Sequence, residues 1–224
     1  MLEFLDSDAV AEALAADVAG KLSDAIAERD RATLAVSGGT TPERFFDALS
    51  RRALDWPKVI VTLVDERFVP PDHPRSNEKL VRERLLVNEA RLARFVPLYG
   101  KGGDVENSAR QAGAGVALLG RPIDVVVLGM GTDGHTASFF ADAENLPQLT
   151  DPDQQVPVLP VYAPSAGEPR LTLSLPLICN ARAIFLHIEG AQKRAVLETA
   201  AAEDLPIAKV LAAAQTPVVT YWAP

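Results

Sequence analysis

The amino-acid sequence predicts an α/β fold in which a mostly parallel sheet carries helices on both sides. Several short apolar runs are continuous rather than alternating, which is typical of strands buried on both faces. Segments with helical periodicity separate these runs, and strands that alternate with helices join by right-handed crossovers into parallel sheets. The 224 residues show no internal repeat or low-complexity tract, so we expect one domain over residues 1–224.

The first predicted element is a helix near residues 8–30. Apolar side chains recur there at every fourth position, which places them on one helix face; they are Val10, Leu14, Val18, Leu22 and Ile26. The apolar runs that predict strands are 33–39, 59–66, 123–131, 183–190 and 218–222. The remaining predicted helices are 42–52, 76–90, 104–119, 191–202 and 206–214.

The stretch 142–170 is rich in Pro, Asp and Gln, and it predicts mostly surface loop. The runs VPVLPVY (156–162) and LTLSLPLI (171–178) are compatible with edge or antiparallel strands. Their prolines argue against a central place in a sheet, because proline cannot donate a ladder hydrogen bond.

Composition excludes several classes of function. The formal net charge of −8 argues against general nucleic-acid binding, which needs a basic face, although local cations can still hold a small anion. No apolar run approaches the roughly 20 residues that span a bilayer, and the acidic N-terminal stretch does not resemble a signal peptide. The single cysteine, Cys179, suits a reducing compartment, so we expect a cytoplasmic protein. Monomer and homodimer both remain open.

The candidate site follows from the topology of such sheets. Ligands of open α/β sheets bind beyond the carboxyl ends of the strands. The segments that follow the predicted strands are polar or glycine-rich, and they read SGGTTP, DER, GMGTDGH and EGAQK. We therefore expect these four segments to converge at one edge of the sheet.

The first segment has the composition of an anion-binding loop. Gly38 and Gly39 permit close approach of a ligand to the backbone, and Ser37, Thr40 and Thr41 add hydroxyl groups. A helix that begins after such a loop offers free N–H groups to a phosphate. The alternative is an ordinary strand–helix turn in which Thr41 caps the helix.

The second segment contributes charge. Asp65 is a candidate acceptor for sugar hydroxyls or an acid–base group, and Arg67 is a candidate ligand for an anion or a developing oxyanion. The alternative is a solvated loop with a surface ion pair. Ser76 or Asn77 is expected to cap the next helix, and His73, which lies between prolines, is interpreted as incidental.

The third segment carries the candidate catalytic group. Gly129 and Gly131 allow a sharp turn that places Asp133 and His135 at the sheet edge. Unperturbed histidine titrates at about 6.5, so His135 can accept a proton from water and return it to a leaving group. Asp133 would orient the ring or bind substrate. The alternative is a helix-capping aspartate with a histidine packed beside it.

Two cations complete the candidate site. Arg170 precedes an apolar run, and Lys193 lies in the first turn of a predicted helix, where a positive charge is unfavourable for the helix dipole. Both are candidate phosphate ligands, and ordinary exposed cations are the alternative. His187 is interpreted as a core or interface histidine with satisfied hydrogen bonds, and Cys179 as an inert thiol. No His/Cys/Asp cluster has metal-ligand spacing, so no metal is expected.

These motifs together resemble a known family. SGGTTP, DERFVP, RSNEKLVRERLL, GMGTDGHTASFF, PRLTLSLPLI and GAQKRAVL occur in the order found in the 6-phosphogluconolactonase family, over about residues 33–200. The resemblance implies a three-layer sandwich with a modified Rossmann-like sheet, as in the deaminase and ribose-phosphate isomerase group. It also implies cofactor-free hydrolysis of 6-phospho-D-glucono-1,5-lactone, a small phosphosugar partner, in the pentose phosphate pathway.

Two alternative functions remain at this level. The related glucosamine-6-phosphate deaminases share the DGH motif, but their sequence after it contains a glutamate for proton transfer, whereas TASFF follows His135 here. The second alternative is a sugar-phosphate-binding module without catalysis. Such modules usually accompany a DNA-binding helix-turn-helix, and this sequence has no basic N-terminal segment to supply one.

Overall fold

A computed structural model of the chain describes residues 1–100 and 102–224. Within these residues ten strands form two sheets. They are β1 (Leu2–Glu3), β2 (Ala32–Val36), β3 (Val59–Leu63), β4 (Asp65–Arg67), β5 (Arg94–Val96), β6 (Val125–Leu128), β7 (Val158–Val161), β8 (Arg170–Leu173), β9 (Ala183–Glu189) and β10 (Val218–Ala223).

The same described residues contain eight α-helices. They are α1 (Ser7–Arg29), α2 (Glu43–Ser50), α3 (Asn77–Arg84), α4 (Val105–Ala117), α5 (Leu146–Leu149), α6 (Leu175–Cys179), α7 (Ala191–Thr199) and α8 (Pro206–Ala213). Short 3₁₀ turns lie at Trp56–Lys58, Asn88–Leu92 and Pro164–Ala166. None of the described helices is both long enough and apolar enough to cross a membrane.

The larger sheet has seven strands, all parallel, in the order β1-β10-β9-β6-β2-β3-β5. Every residue of β2 and β6 is buried, so layers of structure cover both faces at the centre of this sheet. The expectation of an α/β fold with a parallel sheet is therefore confirmed. The carboxyl ends of β2, β3, β6 and β9 meet at one edge, because neighbouring parallel strands point the same way.

Helix α1 shows how the local sequence sets an element. The Asp6 side chain accepts a hydrogen bond from Ala9 N at 2.8 Å and caps the helix start. The apolar stripe predicted from the sequence is buried, apart from the partly exposed Ile26. The helix ends at Asp30, which adopts a left-handed backbone with φ of 59°. The stripe packs α1 against the sheet and against α2.

The smaller sheet adds detail to the sequence interpretation of 142–170. Most of this stretch lies outside helices and strands, as expected, but it also contains the largely buried strand β7, and β7 pairs antiparallel with β8, which pairs antiparallel with β4. The antiparallel alternative for the proline-containing runs was right for β7 and β8, and Pro160 lies on an edge strand. It was wrong for Leu175–Cys179, which forms a helix instead.

Further differences concern short elements. Strands β1 and β5 were not predicted, because two or three residues carry no readable periodicity. The helix expected over 76–90 ends at Arg84, and a 3₁₀ turn follows at Asn88–Leu92. The residues at positions 65–67 were expected to leave a strand into a loop, but they continue the chain into the second sheet.

Candidate active site

An open cleft lies at the carboxyl edge of the parallel sheet. It brings together ten of the residues singled out in the sequence, which are Ser37, Gly38, Gly39, Thr40, Thr41, Asp65, Arg67, His135, Arg170 and Lys193. Asp133 does not line the cleft but contacts His135. The remaining lining residues include Asn77 and His187, together with Pro42, residues 127–131, Thr136 and Ala137. The segments SGGTTP, DER, GMGTDGH and EGAQK therefore converge as expected.

The His135 ring is held on two sides. Its Nδ1 lies 2.6 Å from Asp133 Oδ1, and the ring stacks on Phe140 with 4.4 Å between ring centroids. A carboxylate partner places the proton on Nδ1, so the neutral ring keeps a lone pair on Nε2. Partial burial opposes ionisation of Asp133, but the charge and hydrogen bonds of His135 outweigh it and lower the Asp133 pKa. With its side chain 31% exposed, His135 is accessible to a molecule in the cleft.

The backbone around His135 depends on Gly131. A Cβ atom at Gly131 would collide with the His135 ring and with the Asp133 carboxylate. The turn is closed by hydrogen bonds from Gly131 N to His135 O at 2.9 Å and from Gly134 N to Gly131 O at 3.1 Å. Glycine is therefore required at position 131, because the His135 ring approaches the backbone there. The alternative, in which Asp133 only caps a helix, is not what the structure shows, since Asp133 belongs to this tight turn.

The glycine loop joins two strands to α2. Ser37 N donates to Val127 O at 3.0 Å, and Ser37 Oγ accepts from Gly129 N at 3.2 Å. Gly39 has φ of +92°, a backbone conformation that favours glycine. No side chain caps α2, so the alternative of a turn in which Thr41 caps the helix is wrong. Thr41 Oγ1 instead accepts a hydrogen bond from Lys193.

Lys193 reaches the same loop from helix α7. Its Nζ donates to Thr41 Oγ1 at 3.1 Å across 152 positions of sequence. Burial lowers the Lys193 pKa, while the charge of Glu189 opposes this effect. A half-buried ammonium group with a single hydroxyl partner retains donors for an anionic ligand.

Strands β4 and β8 also contribute side chains to the cleft. Asp65 is buried and accepts a hydrogen bond from Ser138 Oγ at 2.6 Å. Arg170 Nη1 lies 3.9 Å from Asp65, and its guanidinium group lies 5.5 Å from the centroid of Phe140. Burial lowers the Arg170 pKa, and the charge of Asp65 opposes this change. Arg170 and Lys193, predicted as two cations of one anion site, thus contact different residues of the cleft.

Arg67 pairs in register with Arg170 across the smaller sheet. The Nε atoms of both side chains are buried and have no hydrogen-bond partner among the described residues. The solvated-loop alternative for positions 65–67 is therefore wrong, because these residues form a strand beside the cleft. Arg170 Nε also lies 3.5 Å from Glu168 Oε1, an ion-pair distance, so of the two Nε atoms that of Arg67 is the one that remains for a ligand.

Glu66 is a structural residue that sequence reasoning missed. Its buried carboxylate accepts backbone hydrogen bonds from Arg67, Asn77 and Glu78 at 2.7–2.8 Å, and a fourth from Ser76 Oγ at 3.0 Å. Burial raises the Glu66 pKa to about 7, although these four donors favour the ionised form. The contacts tie the start of α3 to β4. In sequence, Glu66 was hidden as one member of a charged triplet.

Asn77 was expected to be at most a helix cap. Ser76 is the cap, and its side chain accepts from Lys79 N at 3.2 Å. Asn77 Nδ2 donates to Asp65 O at 2.9 Å, and a Cβ atom at Gly38 would collide with the Asn77 amide. Asn77 therefore fits the glycine loop against β4, a long-range contact that no local pattern could reveal.

The other residues discussed from sequence are placed as follows. His73 is exposed, and its Nδ1 accepts from Arg75 N at 3.1 Å, away from the residues that line the cleft. Burial raises the Cys179 pKa to about 12, which fits the expectation of an inert thiol. His187 is buried, as expected of a core histidine, but it also lines the cleft, and neither ring nitrogen makes the expected hydrogen bond, although Nε2 lies 3.1 Å from Glu189 Oε1. No metal-holding group of His, Cys, Asp or Glu occurs in residues 1–100 and 102–224.

The chain was compared with known proteins. The sequence profile of the family described as glucosamine-6-phosphate isomerases/6-phosphogluconolactonase matches residues 5–222. A 6-phosphogluconolactonase of Mesorhizobium japonicum is 56% identical over 223 residues, which cover 99% of this chain and 94% of the relative. The crystal structure of a 6-phosphogluconolactonase from Shewanella baltica is 39% identical, with a TM-score of 0.95 over 99% of this chain and 96% of that chain.

A more distant structure bears on the fold. A monomeric glucosamine-6-phosphate deaminase is 21% identical, with a TM-score of 0.75 over 99% of this chain and 96% of that chain. Identity at this level shows a shared fold and nothing more. The expected deaminase-like variant of the α/β sandwich is thereby confirmed.

Proposed function

Because the chain belongs to the glucosamine-6-phosphate isomerase/6-phosphogluconolactonase family, we propose that it hydrolyses 6-phospho-D-glucono-1,5-lactone to 6-phospho-D-gluconate. This reaction would be its step in the oxidative pentose phosphate pathway. The observation that carries the proposal is the His135 ring, whose Nδ1 is held by Asp133 at 2.6 Å beside a cleft that also contains Lys193.

The phosphate group would bind at the glycine loop. The backbone and hydroxyls of Ser37–Thr41 and the ammonium group of Lys193 supply donors on one side of the cleft. Arg170, which lines the cleft, is proposed as the second cation. Contacts to a remote phosphate can lower the barrier by orienting the reacting ring.

The chemical step needs one general base. Nε2 of neutral His135 would take a proton from a water molecule whose oxygen attacks the lactone carbonyl carbon. The resulting tetrahedral intermediate collapses with cleavage of the bond between that carbon and the ring oxygen. The imidazolium then gives its proton to the departing oxygen, so the histidine returns to its neutral form and no nucleophilic side chain is required.

Asp133 and Asp65 would have supporting roles. Asp133 would keep the proton on Nδ1 and stabilise the transient imidazolium. Asp65, fixed by Ser138 at 2.6 Å, would accept hydrogen bonds from sugar hydroxyls. Ser138 is fully buried and donates to this carboxylate, which argues against a role as nucleophile.

The oxyanion of the tetrahedral intermediate needs a donor. The N–H of Gly131 already donates to His135 O, so it is not available for this purpose. Arg67 lines the cleft, and its Nε is buried and unpaired in the described part of the chain. We therefore favour Arg67 as the oxyanion donor.

The test is a coupled assay that detects 6-phosphogluconate above the spontaneous opening of the lactone. The wild-type protein should accelerate hydrolysis, and His135→Asn should lower kcat by about 10²–10⁴-fold, as loss of a general base does, with KM nearly unchanged. A fully active His135→Asn variant would refute the role of the ring. Ammonia release from glucosamine 6-phosphate, without lactone turnover, would instead identify a deaminase.

A further inference from the structure

One buried histidine has no role in the mechanism above. His187 belongs to strand β9 and lines the cleft, and its side chain is only 2% exposed. Neither Nδ1 nor Nε2 has a hydrogen-bond partner in the part of the chain that the structure describes. An unpaired buried polar atom costs free energy. Such a group at the wall of a binding cleft therefore points to a partner that arrives with the ligand.

The neighbours of His187 indicate what that partner is. Nε2 lies 3.1 Å from Glu189 Oε1, but the two are not aligned for a hydrogen bond. The other oxygen of Glu189 accepts from Ser7 Oγ at 2.6 Å, so the carboxylate is anchored to α1. The interaction with His187 is the largest contribution to a lowered Glu189 pKa. An imidazole nitrogen that carries a hydrogen donates a hydrogen bond, and a phosphate oxygen accepts it.

Further cations lie near the same carboxylate. The ammonium of Lys193, from α7, interacts with the charge of Glu189, and so does the guanidinium of Arg44, from α2. Phe45 meets the His187 ring edge-on, with 6.4 Å between ring centroids, and fixes its plane by packing. The cleft surface around His187 thus combines an imidazole, an ammonium group and the hydroxyl of Thr41, which suits a phosphate dianion.

We infer that His187 is a phosphate ligand of the cleft, oriented by Glu189, and that it sets the preference for a phosphorylated over an unphosphorylated lactone. This inference rests on the proposed function. It adds a determinant of substrate choice that lies outside the motif loops, within strand β9. The substrate phosphate would supply the acceptor that the ring lacks.

The test compares two substrates. His187→Phe keeps an aromatic ring against Phe45 but removes both nitrogens, whereas His187→Gln keeps a donor. With the 6-phosphorylated lactone, His187→Phe should raise KM by about 10- to 100-fold, the range for losing a hydrogen bond to a charged group, with kcat little changed. His187→Gln should recover part of this loss. Hydrolysis of unphosphorylated glucono-1,5-lactone should be the same in all three proteins.

The control is His73→Gln, which alters an exposed histidine that does not line the cleft. A KM loss of equal size on both lactones, or no KM change in either His187 variant, would overturn the inference. If His187→Phe does not fold, His187→Gln decides the matter alone, with a smaller rise in KM that should still be confined to the phosphorylated lactone.

Calorimetric binding of 6-phosphogluconate separates this inference from the proposed function. Wild-type protein that binds this compound without hydrolysing the lactone would contradict the proposed function, and the weaker binding expected for the His187 variants would still support the inference. Normal turnover with equal binding by wild type and variants would contradict the inference alone.

Discussion

Each of the two histidines of the cleft has a carboxylate two positions away in sequence, an aspartate for His135 and a glutamate for His187, and the two pairs differ in geometry. His135 and Asp133 are two positions apart in a tight loop, and they meet at 2.6 Å in a hydrogen bond. His187 and Glu189 are two positions apart in a strand, where such side chains share a face, and they lie 3.1 Å apart without one.

Burial differs as much as pairing does. The side chain of His135 is 31% exposed, whereas that of His187 is 2% exposed. A base must meet water and keep a free lone pair, and a paired Nδ1 at the mouth of a cleft provides this. A buried, unpaired ring is suited to bind an anion instead. The comparison teaches that pairing and exposure, rather than the presence of a histidine, would separate the proposed chemical role from the proposed binding role.

Among the variants below, we expect the largest loss of turnover from one that displaces the His135 ring but leaves the histidine itself in place. In Gly131→Ala the new methyl group would occupy the space of the ring, so kcat should fall by roughly 100-fold, as for a small misplacement of a catalytic group. The measurement is steady-state kinetics on the lactone. Gly129→Ala is the matched control, since its Cβ would meet only Ser37 Cβ at an ordinary 3.8 Å.

If both alanine variants kept wild-type activity, the loop would be able to accommodate the added methyl group, and the claim that the base must be fixed in place would fail. A loss of equal size in both would point to a crowded cleft rather than a displaced ring.

A smaller effect, on KM rather than on kcat, is expected for Lys193, which lines the cleft together with His187. Lys193→Met removes the ammonium that contacts Thr41, and KM should rise by about 10-fold or more, because a charge-assisted hydrogen bond to phosphate is lost. Lys209→Met is the control, since Lys209 pairs with Asp204 at the surface. Lost turnover at an unchanged KM would place the phosphate elsewhere.

Arg170→Met sharpens the same comparison. If Arg170 is the second phosphate ligand, its variant should also raise KM for the phosphorylated lactone and leave glucono-1,5-lactone unaffected. A loss on both substrates would assign Arg170 to the sugar ring, in keeping with its position near Asp65 and Phe140.

The smallest effect on turnover is expected for a substitution of Glu66, whose hydrogen bonds involve neither histidine of the cleft. Its folded-state pKa of about 7 lies above the usual value of 4.5. Between these values the folded protein binds more protons than the unfolded chain, so this carboxyl makes stability fall as pH rises from about 4.5 to 7. Denaturation at a series of pH values should show a shallower fall for Glu66→Gln than for wild type. Parallel curves would mean that the four donors keep Glu66 ionised throughout.

The sequence was sufficient where information is local. Continuous apolar runs predicted the five longest parallel strands, and the residues after them predicted most of the cleft, because strand direction places their ends together. It was not sufficient where packing between distant segments decides. Strand β4 forms because Asp65–Arg67 pairs with Arg170–Thr172, more than 100 positions away, and no local pattern encodes that pairing.

The same limit applies to the side chains of the cleft. His187 is buried, as a histidine inside an apolar run usually is, but its place at the cleft and the missing hydrogen bonds of its ring are visible only in three dimensions. Asn77 and Ser138 act through contacts with Gly38 and Asp65, across 39 and 73 positions. Composition indicated which groups were available, while the fold determined which of them were left unpaired.

A crystal structure of the protein with bound 6-phosphogluconate tests the central claim most directly. The account predicts the phosphate between the Ser37–Thr41 loop, Lys193 and His187, with the C1 carboxylate within hydrogen-bond reach of His135 Nε2. A phosphate bound away from that loop, or a C1 carboxylate on the far side of the cleft from His135, would contradict it.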